Sequence, residues 1–240
     1  MDSTQPLEVR PSLYALLSRL FTYPLDAEVL SLVAGITFDE SPAELAAGLG
    51  PALMQMQSAL ADGSSLPDLV EALNCESTRL FEGPGRPVAP PFGSFYLNGQ
   101  QLMGPETVAV GRAYLEAQLL PERNGNAPSD HLVLELGFMA ALAETESPGM
   151  LVASRDFLTQ HLLKWVPAWR ADVLAAAPHP FFTGLVDFTQ AMLEADLAWL
   201  DETNPMLVDS PDRLGNKPQV HSLTGEGGAI PSNRSTENIG

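Results

Sequence analysis

Three side chains that could exchange protons or bind a cation lie close together in the sequence: Asp130, His131 and Glu135. An Asp–His pair can serve in acid–base catalysis, but neighbouring residues on a helix point about 100° apart, so Asp130 is poorly placed to orient His131. No Gly-x-Ser-x-Gly elbow or other activated nucleophile accompanies the pair. Two interpretations then remain. Either Ser129 or Asp130 caps a helix and the histidine packs, or the carboxylates of Asp130 and Glu135 lie at the edge of an apolar groove and accept hydrogen bonds from a peptide.

A second segment is rich in proline, glycine and aromatic side chains. Residues 83–94 contain four prolines and three glycines, a composition that neither a regular helix nor a central strand tolerates. Gly83-Pro84-Gly85 lacks the Gly-Lys-Ser/Thr ending of a phosphate loop and follows no predicted strand, so the segment does not indicate a nucleotide site. Because Phe92, Phe95 and Tyr96 cluster here, the segment is either a rigid connection between helices or a pre-ordered surface that binds a peptide.

A third segment, residues 157–167, predicts core packing. Its helical spacing puts Leu158, His161 and Trp165 on one face, so the histidine is interpreted as a satisfied core residue. The four histidines of the chain show no metal-ligand spacing, and Cys75 is the only cysteine, which excludes an intramolecular disulfide and a cysteine-based zinc site. The sequence predicts no metal and no cofactor.

The elements that position these segments are predicted to be helices throughout. No stretch alternates with a period of two, so we expect an all-α fold, a single-domain bundle of roughly ten helices spanning residues 1–203. Residues 204–240 are poor in large apolar groups and predict a disordered polar tail. Helices are expected at 13–21 before Pro24, from a capping box at Ser41–Glu44, and at 51–60, 65–81, 105–119, 129–144, 150–165, 167–176 and 181–200.

The composition limits the partners. The chain has 30 acidic and 12 basic residues, a net charge of −18, which repels nucleic acid and favours cationic partners. The tail carries only −1 of this charge, which leaves −17 on the predicted folded part. No apolar run reaches the ~20 residues of a membrane span, and the polar, acidic N-terminus does not resemble an export signal. We therefore expect a cytoplasmic protein.

Three motifs occur in an order that resembles the TorD/DmsD/NarJ family of redox enzyme maturation chaperones. The first is Glu-x-x-x-Leu-Phe-x-Gly-Pro over residues 76–84, and the second is Pro-Pro-aromatic-x-Ser over residues 90–94. The third is Pro-x-Asp-His over residues 128–131. The likeness covers about residues 10 to 200, and Phe92 stands where relatives often have tryptophan.

The resemblance implies an all-helical, cytoplasmic, non-catalytic protein that binds a twin-arginine signal peptide. Its partner would be the catalytic subunit of a molybdopterin-dependent oxidoreductase, held back from export while its cofactor is inserted. By the same resemblance the peptide-binding site comprises Leu80, Phe81, Pro91, Phe92, Asp130 and His131. The same segments add Ser94, Tyr96 and Glu135 to this set.

Two other classes of function stay open at this stage. One is a guanine-nucleotide-binding switch, and the other is a structural accessory subunit of a reductase complex. The resemblance also allows a homo-oligomer that exchanges helices between chains.

Overall fold

A computed structural model describes residues 5–37, 43–83, 85–120, 127–145 and 147–203. The chain order of the helices is α1 Gln5–Leu20, α2 Ala27–Gly35, α3 Ala43–Leu60, α4 Leu66–Ser77, α5 Gly93–Leu97, α6 Pro105–Glu116, α7 Leu132–Glu144, α8 Pro148–Phe157, α9 Leu163–Ala175 and α10 Pro180–Thr203. A π-helical turn, Thr78–Glu82, extends α4, and a second one, Leu158–Leu162, joins α8 to α9.

The predicted all-α class is confirmed. Within the described ranges there is no β-strand, and the one extended pairing is an isolated antiparallel bridge between Phe92 and His131. None of the described helices is long and apolar enough to cross a membrane.

Two helix pairs form the centre of the bundle: α3 packs along α10, and α1 packs along α7. The first pair is unusually close at Gly184. A Cβ atom there would lie 2.8 Å from the carbonyl oxygen of Ala52 and 3.0 Å from the backbone nitrogen of Met56. Because both are backbone atoms, any larger residue at position 184 would force the helices apart.

A buried ion pair ties the N-terminal helix α1 to the C-terminal helix α10. The Arg10 Nε and Nη2 groups both donate to the Asp196 carboxylate, and the Tyr14 hydroxyl donates to the same carboxylate over 2.7 Å. The guanidinium carbon of Arg10 also lies 4.9 Å from the ring centre of Trp199. Arg10 and Asp196 are both buried, so each charge depends on the other for its stabilisation.

Three helix boundaries differ from the prediction because proline is tolerated inside these helices. We expected the first helix to begin at residue 13, but α1 begins at Gln5 and contains Pro11. We expected a new helix at Pro51, but α3 runs through this residue. Likewise, we expected a break at Pro167, but it lies one turn inside α9, and the interruption falls at the preceding π-helical turn. In each case only one amide donor is lost, which packing of the rest of the helix offsets.

Other elements agree with the prediction or add to it. Helix α4 begins where a helix was predicted, next to Ser65, and Ser65 is its cap, accepting a hydrogen bond from the Asp68 amide. The short helix α2 was not predicted, although its cap Asp26 is a recognisable signal that accepts from the Val29 amide. The start of the predicted capping box, at Ser41, and the predicted tail over 204–240 lie outside the described residues.

Candidate functional site

The second and third motifs of the sequence meet through backbone hydrogen bonds. The Gly93 amide donates to the Asp130 carbonyl over 3.0 Å, and the Leu132 amide donates to the Pro91 carbonyl over 2.9 Å. These two bonds flank the bridge between Phe92 and His131, whose rings meet edge to face with centres 4.8 Å apart. Segments almost forty residues apart in sequence thus form one structural unit.

The Asp130 carboxylate lies inside this unit and is buried. Its Oδ2 accepts a hydrogen bond from the Ser94 amide over 2.7 Å. The Ser94 hydroxyl in turn accepts from the Met103 amide over 3.2 Å. The second oxygen, Oδ1, is buried and has no hydrogen-bond partner. One oxygen therefore fixes the loop, and the other is an unused acceptor.

Glu135 is a second buried acid, one turn into α7. Its Oε2 accepts a long hydrogen bond, 3.4 Å, from the Trp165 indole nitrogen, and its Oε1 has no partner. Burial raises the pKa of Glu135 well above its ordinary value, the indole bond opposes this, and the nearby charge of Asp130 adds to the increase. A carboxyl group in this environment keeps its proton more readily than an exposed one.

His131 is the N-cap of α7, which corrects the prediction that Ser129 or Asp130 fills this position. Its backbone is extended and its Nδ1 accepts from the Val133 amide over 3.2 Å. Burial lowers the pKa of His131 to about 4, although the charge of Asp130 works in the opposite direction. The ring is therefore neutral at pH 7 and acts as a hydrogen-bond acceptor.

Tyr96 and Gly93 both pack against Trp165 of α9. The Tyr96 ring stacks on the Trp165 indole with centres 5.8 Å apart. A Cβ atom on Gly93 would lie 3.1 Å from the Trp165 Nε1 and 3.5 Å from the Glu135 Oε1. A side chain on residue 93 would therefore require the Trp165 indole to move by a few tenths of an ångström. Trp165 was predicted to lie in the core and no role was predicted for Gly93, although a glycine between an aromatic residue and a serine, after two prolines, can indicate a point of close backbone approach.

Leu80 and Phe81 lie in the core rather than at the surface of this unit. Both are buried, and the Phe81 ring contacts Phe21, Trp169 and Phe182 with ring centres less than 6 Å away in each case. The Leu80 carbonyl accepts from the amide of Ala89 over 2.8 Å. The first motif therefore attaches the proline-rich loop to the core.

The predicted site residues thus separate into two layers. Phe92, Ser94, Tyr96, Asp130, His131 and Glu135 surround one polar cluster, with the buried Pro91 in its backbone bridge, while Leu80 and Phe81 support it from the core. No cluster of three or more His, Cys, Asp or Glu side chains suited to a metal occurs among the described residues.

Comparison with known proteins places the chain in a family. A model described as the nitrate reductase delta subunit matches residues 42–171, more than half of the chain. The chaperone protein TorD of Vibrio cholerae serotype O1 (strain O395) is 28% identical, with 81% of this chain and 93% of the relative covered.

Two further matches are shorter or more distant. The perchlorate reductase assembly chaperone protein of Dechloromonas aromatica is 38% identical over 35% of this chain and 42% of its own length. The crystal structure of a redox enzyme maturation protein from Archaeoglobus fulgidus has a TM-score of 0.46 and 21% identity, and the match covers 80% of this chain and 93% of that one.

These curated relatives are named chaperones, which agrees with the prediction that the chain is not an enzyme. The family match spans the three motifs on which the resemblance rested. The chain belongs to the nitrate reductase delta subunit family, the TorD/NarJ group of redox enzyme maturation proteins.

Proposed function

We propose that this protein is a cytoplasmic chaperone that binds the twin-arginine signal peptide of a molybdenum-containing oxidoreductase and holds the immature enzyme until its cofactor is inserted. The name of one relative supports a reductase as the client, since it is a perchlorate reductase assembly chaperone protein, and TorD is named a chaperone protein. A chaperone bound to the signal peptide would delay export of the immature enzyme without catalysing a reaction. Release can follow from folding of the client, so no nucleotide is required.

One observation carries the proposal: Asp130 Oδ1 and Glu135 Oε1 are buried acceptors without hydrogen-bond partners. Buried polar atoms in proteins are almost always hydrogen-bonded, so an unused pair at the junction of two motifs favours an external donor. An arginine guanidinium supplies five N–H donors in a fork that matches the Asp130 carboxylate, while Glu135, whose pKa burial raises, offers the oxygen of a carboxyl group that keeps its proton more readily. The net charge of −18 favours approach of such a cation over long range.

We infer that a ligand would reach these oxygens past Phe92 and His131. Both side chains are only partly buried, and their edge-to-face contact covers the bridge between the two segments. A shift of the Phe92 ring, which lies in a loop, disturbs fewer packed neighbours than a shift of Phe81 in the core. We therefore assign Phe92 to the ligand-contacting layer, and Leu80 and Phe81 to the supporting layer.

No observation on the described residues favours either alternative function. The Gly83 amide, which a phosphate loop would direct to a ligand, donates to the Thr78 carbonyl over 2.6 Å. The accessory-subunit alternative requires a stable complex with the mature enzyme, which copurification would reveal.

Calorimetric titration with matched peptides tests the proposal. One peptide carries two arginines followed by an apolar stretch, and the other has glutamines in place of the arginines. We expect the arginine peptide to bind at least about tenfold more tightly, because each charge-assisted hydrogen bond contributes about 1.5–3 kcal/mol. Asp130→Asn should reduce this preference, whereas Asp187→Asn, which changes the same charge at a surface ion pair with Arg170, should preserve it. Equal affinity for the two peptides would refute the proposal.

A further inference from the structure

Asp130 and Glu135 are two buried acids in one site, and each is 0% exposed. No ion pair among the described residues includes either of them. A buried charge without a partner is costly, so a buried acid that lacks a cation tends to keep its proton. The charge on one acid also opposes ionisation of the other. In the unliganded protein, therefore, only one of the two acids is ionised.

Hydrogen bonding decides which of the two acids keeps the proton. Asp130 Oδ2 accepts the Ser94 amide over 2.7 Å, a bond of the kind that stabilises a carboxylate. Glu135 accepts only the long bond, 3.4 Å, from the Trp165 indole. Burial is the main cause of the raised pKa of Glu135, the indole bond opposes this increase only in part, and the charge of Asp130 adds to it. The charge then belongs to Asp130 and the proton to Glu135.

The other titratable groups around Glu135 are neutral near pH 7. Burial lowers the pKa of both His131 and His161 to about 4. Burial raises the pKa of Tyr96 above its ordinary value, and the charge of the exposed Asp172 adds to this increase. The basic side chains of the surrounding elements are exposed or paired with other acids: Arg19, Arg86, Arg112, Arg155, Lys164 and Arg170. The proton of Glu135 is therefore the one that a cation entering the site would affect.

We propose that the cationic head of the peptide binds with release of the Glu135 proton to solvent. The guanidinium supplies the positive charge that the two acids lack, so Glu135 ionises and both of its oxygens become acceptors for N–H donors. Its O–H bond breaks, the proton passes to water or buffer, and the guanidinium keeps all of its own protons. This inference rests on the proposed function, because it assumes that an arginine enters the site.

Release of this proton would couple affinity to pH. As the pH rises, removal of the proton costs less, so binding becomes tighter, by up to about tenfold per pH unit when one proton is released. Glu135 would also favour a cation over a neutral group of similar shape. A glutamine side chain brings no charge that could replace the lost proton, so its binding should not depend on pH in this way.

Calorimetric titration in two buffers counts the released proton. Phosphate and bis-Tris bind a proton with different enthalpies, so at pH 6.5 a released proton makes the measured heat of binding depend on the buffer. We expect wild type to release up to about one proton per arginine peptide, and to bind it more tightly as the pH rises from 6 to 7.

Two variants identify the source of the proton. Glu135→Gln keeps the size of the side chain and an acceptor oxygen but has no proton to release, so its heat of binding should be the same in both buffers. Asp187→Asn removes the charge of a partly exposed acid paired with Arg170 and should show the same buffer dependence as wild type. Wild type alone already tests the inference, so the test does not depend on the stability of either variant.

The remaining results separate this inference from the proposed function. If wild type prefers the arginine peptide to the glutamine peptide but releases no proton, the inference is wrong and the proposed function stands. If Glu135→Gln releases as many protons as wild type, another group is their source and the inference is overturned. If wild type does not distinguish the two peptides, both are wrong.

Discussion

Asp130 and His131 are adjacent in sequence, yet they stabilise different parts of the structure. The Asp130 carboxylate holds the Ser94 amide of the proline-rich loop, and the His131 ring caps α7 and contacts Phe92. Replacing both by alanine would combine loss of a cap with loss of a charge. Separate variants can distinguish the two effects.

We predict that His131→Ala destabilises the protein by about 0.5–2 kcal/mol, the usual cost of losing an N-cap. His131→Asn should recover most of this free energy, because asparagine is a strong N-cap residue. Asp130→Asn should change stability less, since its amide oxygen still accepts from Ser94, but it should weaken binding of the arginine peptide. Denaturant unfolding beside calorimetry measures both quantities. If Asp130→Asn lowers stability and leaves binding intact, its role is structural alone.

Acid should destabilise the fold through His131. Its pKa is about 4 in the folded protein against an ordinary value of 6.5, so between these values the unfolded chain binds the proton and the folded one does not. Stability is therefore lost as the pH falls from about 6.5 towards 4, by up to about 3 kcal/mol for this residue. The raised pKa of Glu135 has the opposite effect, since it makes the folded protein more stable as the pH falls. Relative to wild type, His131→Asn should gain stability as the pH falls from 7 to 5, and unfolding curves showing a constant difference would contradict this.

The two phenylalanines of the motifs should respond differently to truncation. Phe81 is buried among aromatic rings, and truncating such a residue costs about 3–5 kcal/mol. Phe92 is partly exposed and contacts His131, so Phe92→Ala should lower peptide affinity with a small loss of stability. Paired unfolding and titration experiments decide the matter. Equal destabilisation by both substitutions would place Phe92 in the core and the ligand elsewhere.

At the scale of elements, the periodicity of apolar residues predicted the positions of most helices. It did not predict that some helices continue through a proline. The apolar stripe that ends at Phe21 predicted a helix from residue 13, which is the second half of α1, and a helix was predicted to start near residue 65, where α4 begins. Proline at 51 and 167 was a misleading signal, because the cost of one lost hydrogen bond is smaller than the gain from packing a long helix. Local sequence does not contain that tertiary gain.

Local sequence patterns could not predict the contact between α1 and α10 either. Arg10 and Asp196 are 186 residues apart in sequence and meet only in the folded bundle. We predict that Asp196→Ala destabilises the protein by about 3–5 kcal/mol, because it leaves the Arg10 charge buried without its partner. Asp187→Ala removes the partner of Arg170 at a partly exposed ion pair and should cost about 0–1 kcal/mol. Thermal or denaturant unfolding of both variants gives the comparison. Similar losses in the two would contradict the importance of burial.

At the scale of the whole molecule, the sequence predicted residues for a candidate site but not their division into two layers. The motif residues were recognisable by type and order, whereas the division into a buried support, Leu80 and Phe81, and a polar cluster around Asp130 required the packed structure. The close approach of Gly93 to Trp165 joins segments far apart in sequence, and no spacing rule predicts it.

Net charge is the property of the whole molecule with the clearest consequence for binding. The value of −18 is spread over the chain, so it acts on an approaching cationic peptide through solvent, where salt screens it. The Debye length falls from about 10 Å at 0.1 M salt to about 3 Å at 1 M. The acceptors at Asp130 and Glu135 are buried, so salt screens their contact with a bound guanidinium much less.

We therefore predict that salt acts mainly on the rate of association. Raising sodium chloride from about 0.1 M to 1 M should slow association of the arginine peptide several-fold, while its dissociation rate changes little, because long-range steering controls encounter and buried contacts control release. The glutamine peptide serves as the control, since it lacks the steered charge and should show a much smaller effect. Stopped-flow fluorescence with labelled peptides separates the two rates. If salt accelerates dissociation as strongly as it slows association, exposed ion pairs hold the peptide, and the buried carboxylates are not its principal contacts.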